Sequence, residues 1–404
     1  MRKRSVLPPE TRLFIWNTNY FRRFGGAERA VHNLLNRFCE LGFETYLIAQ
    51  QTVPSRQHNE FFGPLDQGVK IYQEDFVNPW DSSNGPLGFI PKLLRYLKAS
   101  FHFGAFIRGQ RPQIIHLHYV SWDVLLLAFY KLFYRYRLVI TFRAGEDLIA
   151  RQRYLSRLKI RLALRTADHV TTISNELRET IETTYSSKKV LYIPNGIDVD
   201  QVVRSAQPHG GIESDQFVFC GRMTHQKRVD LLVDAFNECI KRGCRKKLYL
   251  VGDGEELEDI RNRIHSYGIQ DQIVLLGALT HDQTLGVMSQ SRCLLMSSAF
   301  EGLPQVALEA MALGKAIISS DVGGLRDIVM HGESGYLYPV NRQDLFCAHL
   351  MELCQDDAKA QAFGRAGLAR LKADYDLDRV VEQYLDLYQS LMAGSAAVSN
   401  RSLN

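Results

Sequence analysis

The stretch from Leu294 to Pro339 constrains the fold most, because strand-like and helix-like patterns alternate along it. Residues 294–296 are a short apolar run that predicts a buried strand, and the apolar residues of 306–311 recur with helical spacing. Gly314 ends that helix, and the next apolar run predicts a second strand. Strand, loop, helix and strand in this order form the repeating unit of a parallel sheet.

The loop before this helix has the chemistry of a phosphate site. Pro304 suits the first turn of a helix, where its missing N–H costs nothing, and the free N–H groups there favour an anion. Two carboxylates, Glu301 and Glu309, accompany this helix start, so donors for phosphate stand beside acceptors for hydroxyls. A nucleotide sugar carries both groups. The alternative is that Glu301 only stabilises the helix start and that Glu309 is a solvated helix residue.

The segment from Glu301 to Ser319, EGLPQVALEAMALGKAIIS, resembles the carboxylate signature of retaining glycosyltransferase family 4. The resemblance implies an α/β fold of GT-B type, in which two Rossmann-like parallel-sheet domains face a cleft and a C-terminal helix crosses back. It implies that Glu301 lies near the donor sugar and its phosphates and acts in catalysis, and that Glu309 holds the ribose hydroxyls. The donor site would also include Gly302, Leu303 and Pro304.

Length and composition agree with such an architecture. A chain of 404 residues is too long for one typical core, and 46% hydrophobic with 23% charged residues is ordinary for a globular protein. The sequence has no uncharged apolar run of about 18 residues, and its start does not read as a secretory signal. Seven scattered cysteines without a C-x-x-C pair are typical of a reducing cytoplasm, which is the predicted location.

The charge is divided unevenly. Residues 1–195 hold 28 Lys and Arg against 16 Asp and Glu, whereas the remainder holds 21 against 28. A basic first half predicts an acidic partner, which could be anionic lipid, a phosphorylated acceptor or nucleic acid. No recognised motif supports nucleic acid, so none is expected.

Residues 89–110 are predicted to form a basic amphipathic helix. One apolar stripe could hold Leu93, Leu94, Leu97, Phe101 and Ile107, with Lys92, Arg95, Lys98 and Arg108 elsewhere. Such a helix can lie in a membrane interface, or it can face a core while its cations extend to solvent. Two further basic stretches, 130–137 and 151–165, favour peripheral contact with the inner face of the cytoplasmic membrane.

A Gly-Gly pair precedes the first predicted helix, and a tight strand-to-helix turn would by itself explain it. The resemblance adds that Gly-Gly-Ala-Glu is a common form of the family's first loop. It places Gly25 and Gly26 at the donor phosphates or the acceptor, and it places Arg22 and Arg23 on the acceptor side.

The strand at 114–119 contains His116 and His118, which alternation sends to the same face. We find no third ligand at convincing spacing for a metal. The resemblance makes His118 a catalytic residue near the donor sugar and His116 a packed strand residue. Arg143 follows the next strand, where many relatives have histidine, and it cannot act as a base. It is predicted either to contact ligand on the acceptor side or to pair with Glu146 or Asp147.

In the second half, Gly221 and Arg222 end a predicted strand and Lys227 follows at a spacing that can bracket a diphosphate. The family pattern is G-R-x4-K-G, and Arg228 replaces its last glycine. For Arg222 alone, a surface charge is the alternative. Gly252 and Gly254 resemble the family's G-x-G turn near the donor.

The turn Pro194-Asn195-Gly196 resembles the interdomain signature of the family. The predicted organisation is an acceptor domain at 1–199, a nucleotide-sugar domain at 200–375, a crossing-back helix at 376–392 and a flexible tail at 393–404.

Together these features predict a retaining transfer of a hexose-type sugar from a nucleotide diphosphate, a UDP-sugar first and GDP-mannose second. The acceptor would be a hydroxyl of a glycan or lipid-linked molecule in polysaccharide or lipopolysaccharide biosynthesis. No cofactor or metal is expected, because no D-x-D stands at a strand end.

Retention could use a carboxylate nucleophile or assistance from the leaving phosphate, of which we favour the second. The alternatives are a nucleotide-sugar epimerase of the same architecture and a non-catalytic nucleotide-sugar-binding protein.

Overall fold

The computed structural model describes residues 7–8, 10–17, 20, 25–50, 65–76, 89–143, 154–187 and 190–399. The chain divides into two units, which are described separately below. The N-unit comprises Met1–Gly196 together with Asp378–Asn404, and the C-unit comprises Ile197–Leu377. The last part of the chain therefore belongs with the first part.

The N-unit is built on a parallel sheet of seven described strands in the order β3-β2-β1-β4-β5-β6-β7. Its interior strands are buried along almost their whole length, as parallel strands covered on both faces are. The strands are β1 (Arg12–Trp16), β2 (Glu44–Gln50), β3 (Lys70–Glu74), β4 (Ile114–His118), β5 (Arg137–Phe142), β6 (His169–Thr172) and β7 (Val190–Tyr192). The helices among them are α1 (Gly26–Glu40), α2 (Phe89–Gln110), α3 (Asp123–Lys131), α4 (Tyr154–Thr166) and α5 (Asn175–Tyr185).

The C-unit has a parallel sheet of six strands in the order β10-β9-β8-β11-β12-β13. Its strands are β8 (Phe217–Cys220), β9 (Leu248–Val251), β10 (Ile273–Gly277), β11 (Cys293–Met296), β12 (Ala316–Ser320) and β13 (Gly335–Tyr338). Its helices are α6 (Val199–Ser205), α7 (Val229–Lys241), α8 (Leu257–Tyr267), α9 (His281–Gln290), α10 (Gln305–Ala312), α11 (Leu325–Ile328), α12 (Gln343–Gln355) and α13 (Asp357–Asp374).

The strand order reverses once in each sheet, between β1 and β4 in the N-unit and between β8 and β11 in the C-unit. At such a reversal the connections on either side leave in opposite directions, and a crevice opens outside the carboxyl ends of the strands. The loops that follow β8 and β11 therefore lie where folds of this class bind ligands.

The last helix, α14 (Leu377–Ser399), packs on the N-unit sheet through a buried hydrogen-bond network. His116 Nδ1 lies 2.7 Å from the Tyr388 hydroxyl, and His116 Nε2 lies 2.6 Å from Thr141 Oγ1. The helix continues to Ser399, whereas the sequence predicts its end at 392 and a flexible tail at 393–404. Its last turns contain several alanines, which favour helix.

Helix α2 has the predicted bounds, but its apolar residues lie on two faces and not on one stripe. Phe103 and Ile107 are fully buried against the sheet. On the opposite side, the exposed fractions are 65% for Ile90, 63% for Leu94, 54% for Leu97 and 76% for Phe101. The prediction that Ile107 shares one apolar stripe with Leu94 and Phe101 is therefore wrong, and the helix has both a core face and an apolar solvent face.

The edge strand β3 was not placed from the sequence, because its KIYQE segment is only partly buried and has a weak apolar pattern. Among the described helices, none combines the length and the apolarity that crossing a bilayer requires.

Two glycines of α13 provide a matched test of its packing. A Cβ at Gly364 would lie 1.8 Å from the carbonyl oxygen of Gly314, whereas a Cβ at Gly367 would be 3.5 Å from Met311 Cγ. We expect Gly364→Ala to lower the free energy of unfolding by about 2 kcal/mol or more through this clash. Gly367→Ala should raise it by up to about 1 kcal/mol, because alanine favours helix. Urea denaturation measures both, and equal effects would contradict the described contact.

Candidate functional site

The first element of the site is an ion pair at the reversal of the C-unit sheet. Lys227 Nζ lies 2.6 Å from Glu301 Oε1, and Ser298 Oγ donates a hydrogen bond to the same oxygen at 2.6 Å. The exposed fraction of the side chain is 20% for Lys227 and 6% for Glu301. Lys227 follows β8 and Glu301 follows β11, so the pairing of these strands brings together residues 74 positions apart.

Backbone hydrogen bonds join the same two loops. Ala299 N donates to the Gln226 carbonyl at 2.8 Å, and Gln226 Nε2 donates to the Phe300 carbonyl at 2.9 Å. Ser297 Oγ donates to the Lys227 carbonyl at 2.7 Å. The positions of Lys227 and Glu301 are therefore set by the backbone as well as by their own contact.

Arg228, which replaces the glycine of the family pattern, lies in the left-handed region with φ 48° and ψ 44°. Glycine adopts this conformation freely, whereas another residue pays roughly 1 kcal/mol for it. Arg228 Nε donates to Asp230 Oδ1 at 3.2 Å. The substitution therefore leaves a left-handed turn between Lys227 and α7, which explains why glycine suits the position.

Glycines allow a second pair of loops to touch. A Cβ at Gly252 would lie 1.9 Å from the Gly221 carbonyl oxygen, and one at Gly254 would lie 2.3 Å from the Met223 carbonyl oxygen. Gly252 has φ 137°, which also favours glycine. The G-x-G turn thus packs directly on the backbone that carries Arg222. The Arg222 side chain is exposed and forms no ion pair with any residue that the structure describes, which leaves its guanidinium available to an anion.

The loop at 301–304 leads into α10. A Cβ at Gly323 would lie 1.8 Å from the Glu301 carbonyl oxygen, so the turn at Gly323 packs directly on the backbone of this loop. Pro304 is the N-cap, with φ −71° and ψ 122°, and α10 begins at Gln305. The prediction that Pro304 lies in the first turn is therefore wrong by one position, because its ψ is extended. Leu303 is buried, and the first turn of α10, whose first N–H groups have no carbonyl partner inside the helix, follows the loop at the carboxyl end of β11.

Glu309, on α10, is held by His281, a residue that no motif in the sequence indicates. Its Oε1 lies 2.9 Å from His281 Nε2, and the exposed fractions of the two side chains are 8% and 15%. Glu309 is therefore not the solvated residue of the alternative interpretation. The capping box of Thr280 and Gln283 could have located the start of α9, but not the contact of its first residue with α10.

In the N-unit, the Gly-Gly pair stands at the start of α1. Gly25 is the N-cap, Gly26 is exposed, and a Cβ at Gly25 would lie 3.1 Å from Glu28 Oε2. The predicted acceptor-side residues Arg22 and Arg23 lie outside the described residues, so their roles stay predictions.

His118, at the end of β4, lies in a second cluster. Arg143 Nε donates to His118 Nδ1 at 3.0 Å, and Arg143 NH1 donates to Asn195 Oδ1 at 2.7 Å. All three side chains are buried. Burial and the neighbouring His116 and Arg143 lower the pKa of His118 well below its ordinary value, so the imidazole is neutral at physiological pH.

The predicted pairing of Arg143 with Glu146 or Asp147 stays a prediction, because both residues lie outside the described ones. Within the described residues, Arg143 contacts His118 and Asn195. Asn195 was noted only as part of a turn, and nothing local in the sequence indicates that it contacts Arg143. Among the residues that the structure describes, no group of three or more His, Cys, Asp or Glu side chains could hold a metal ion.

Comparisons with known proteins agree with this geometry. Residues 24–201 match the family described as Glycosyltransferase Family 4, and residues 207–370 match the family described as Glycosyl transferases group 1. N-acetyl-alpha-D-glucosaminyl L-malate synthase of Bacillus anthracis is 26% identical over 289 residues, which are 69% of this chain and 75% of that protein.

Two solved structures have the same fold. Sucrose-phosphate synthase of Thermosynechococcus elongatus has a TM-score of 0.76 at 19% identity, over 95% of this chain and 100% of that one. HepE of Anabaena, solved with UDP-glucose, has a TM-score of 0.71 at 17% identity, over 94% and 100% of the two chains. With two parallel-sheet units and both family matches, the chain belongs to the GT-B glycosyltransferases of family 4.

Proposed function

We propose that this glycosyltransferase moves a hexose-type sugar from a UDP-sugar to a hydroxyl of a glycan or lipid-linked acceptor, with retention at the anomeric carbon. The observation that carries the proposal is the Lys227–Glu301 pair at the strand reversal, on the same two loops as the exposed Arg222 and the start of α10. The choice of UDP is supported by HepE, whose structure holds UDP-glucose. The setting we favour is cell-surface polysaccharide synthesis.

The cations of the C-unit suit a leaving diphosphate. As the bond between the sugar and the diphosphate breaks, negative charge grows on the phosphate oxygens, and Arg222, Lys227 and the first-turn N–H groups of α10 can stabilise it. These groups supply the charge that a divalent cation supplies in other transferases, so we propose that the reaction needs no metal.

Retention is best explained by assistance from the leaving phosphate. Glu301 Oε1 is held by both Lys227 and Ser298, which makes its carboxylate a weak nucleophile. In the proposed step the bond from the anomeric carbon to the diphosphate oxygen breaks. The acceptor oxygen bonds to the same face of that carbon, and its proton passes to the departing phosphate.

Glu309 is proposed to accept hydrogen bonds from the ribose hydroxyls. A carboxylate at 8% exposure needs a partner, and His281 supplies one at Oε1. The contact fixes the direction of the carboxylate before the nucleotide arrives, which reduces the entropy lost on binding.

The solvent face of α2 is proposed to contact an anionic membrane. Helix α3 packs beside α2, because the Tyr130 hydroxyl donates to the Ser100 carbonyl at 2.7 Å. Exposed apolar side chains continue along α3 and its C-terminal turn, at Leu125, Phe129, Leu132 and Phe133. Exposed cations without an ion pair to any described residue accompany them, at Lys98, Arg108 and Arg135.

Apolar area with free cations suits the interface of an anionic bilayer, where each cation contributes about 1 kcal/mol. Contact of this kind would bring the enzyme to the inner face of the cytoplasmic membrane, close to a lipid-linked acceptor.

Donor binding is tested by thermal stabilisation with a panel of UDP-, GDP-, ADP- and TDP-sugars, each with and without EDTA. We expect a UDP-sugar to raise the melting temperature, because a ligand of the native state stabilises it, and we expect EDTA to leave the shift unchanged. Glu309→Gln should weaken binding about tenfold, since a carboxylate accepts hydroxyl hydrogen bonds better than an amide. The matched control is Glu333→Gln at an exposed carboxylate. A shift abolished by EDTA would contradict the metal-free site.

Turnover is tested with the same donor in the presence and absence of glycan or lipid acceptors. Lys227→Met should lower kcat by about a hundredfold, because it removes a cation from the charge that develops in the transition state. Epimerised sugar without acceptor would favour the epimerase alternative. Donor binding without any product would favour the non-catalytic one.

Membrane contact is tested by co-sedimentation with phosphatidylglycerol vesicles and with phosphatidylcholine vesicles. We expect binding to the anionic vesicles alone, weakening as salt rises. The double variant Leu94→Ser and Phe101→Ser should lower the affinity about tenfold or more, because it removes apolar area from the interface. The control Leu41→Ser changes another exposed leucine of the N-unit. Equal binding by the double variant, or by neutral vesicles, would contradict the proposed surface.

A further inference from the structure

The cluster of His118, Arg143 and Asn195 determines which nitrogen of His118 carries the proton. Arg143 Nε always carries hydrogen, and it points at His118 Nδ1 from 3.0 Å. Nδ1 must therefore offer its lone pair, and the proton of the neutral ring must be on Nε2. Arg143 NH1 donates to Asn195 Oδ1 at 2.7 Å, so the guanidinium cannot rotate away from the His118 ring without losing this hydrogen bond.

His118 Nε2 is buried and has no hydrogen-bond partner in the part of the chain that the structure describes. The exposed fraction of His118 as a whole is 2%. A buried N–H without a partner is costly, by an amount comparable to a lost hydrogen bond, and such groups in native proteins call for an explanation. A bound ligand that presents an acceptor oxygen would supply the partner.

The charged and titratable groups around this ring all oppose its protonation or are neutral. His116 lies on the same strand, with ring centroids 4.1 Å apart, and Arg143 follows β5. From α14, Tyr384 packs on His116 at 5.1 Å, and burial raises the pKa of this phenol, so it stays neutral. Asn195 carries no charge. No carboxylate among the described residues pairs with His118 or Arg143.

We propose that Arg143 is a positioning residue that holds His118 as the neutral tautomer with its proton on Nε2. In this state the ring presents an N–H and no lone pair to the sugar substrate near which the family resemblance places His118, so it takes no proton from the acceptor. The part concerning the substrate rests on the proposed function. The part concerning the tautomer rests on the N-unit alone.

The tautomer is tested on the whole protein without substrate, by nitrogen-15 NMR of labelled histidine, with His118→Gln to assign the signals. We expect Nδ1 to be unprotonated and Nε2 protonated, with no titration of His118 between about pH 5.5 and 8. A proton on Nδ1, or a ring that becomes cationic in this range, would overturn the proposal even if the sugar-transfer activity is real.

The positioning role is tested with Arg143→Met and Arg143→Gln. Both variants remove the positive charge and have side chains of similar length, but only glutamine can still donate an N–H to Nδ1. Loss of the charge removes one cause that lowers the pKa of His118, and in the methionine variant Nδ1 is also free to accept a proton. His118 should therefore titrate at higher pH in the methionine variant than in the parent, although burial still lowers its pKa.

Kinetics separate positioning from simple attraction of an anion. We expect Arg143→Met to lower kcat/KM by about tenfold, with an acid limb of the pH profile at higher pH than in the parent, and Arg143→Gln to recover most of the loss. The control His102→Gln changes an exposed histidine of α2 and should leave the profile unchanged. Equal losses in the two Arg143 variants would show that only the charge matters, and would overturn the positioning role. If no sugar transfer is found with any donor, the proposed function fails while the NMR result still decides the tautomer.

Discussion

The contact between Lys227 and Glu301 depends on the adjacency of β8 and β11, two strands that are distant along the chain. An isolated ion pair of this kind contributes little to stability, because desolvation offsets most of the attraction. The pair matters because of its position, since it holds a lysine and a carboxylate next to each other at the reversal of the sheet. Any change that separated the two strands would remove the pair, the backbone bonds beside it and the start of α10 together.

The loops around this pair approach each other through backbone atoms and not through side chains. Gly252 touches the Gly221 carbonyl, and Gly323 touches the Glu301 carbonyl, at distances where a Cβ has no room. The backbone that carries the cations on such loops has little freedom to move, so the charge that we propose for phosphate binding is placed before a ligand arrives. The same idea applies to His281 and Glu309, which orient each other in the absence of a nucleotide.

Much of this arrangement could be predicted from the sequence, because parallel strands and helices have clear periods and the loops carry recognisable residues. The bounds of α2 and the neighbourhood of Glu301 followed from such local signals. The partners His281 and Asn195 did not, because each depends on how separate elements meet. On α2, Ile107 was wrongly placed on the same stripe as Phe101, because the two apolar residues look alike in sequence and differ in what covers them. The strand β3 was missed since an edge strand is half solvated.

The membership of α14 in the N-unit has a consequence for synthesis on the ribosome. The first strands of the N-unit emerge early, yet Tyr388, which bonds His116, is 272 residues further along the chain. The C-unit is one continuous segment and has all its strands before α14 is made. Domains generally fold as units while the chain is extended. The N-unit, whose strands precede the C-unit in the chain, therefore cannot complete its fold until α14 has been synthesised, and His116 lacks its Tyr388 partner before then.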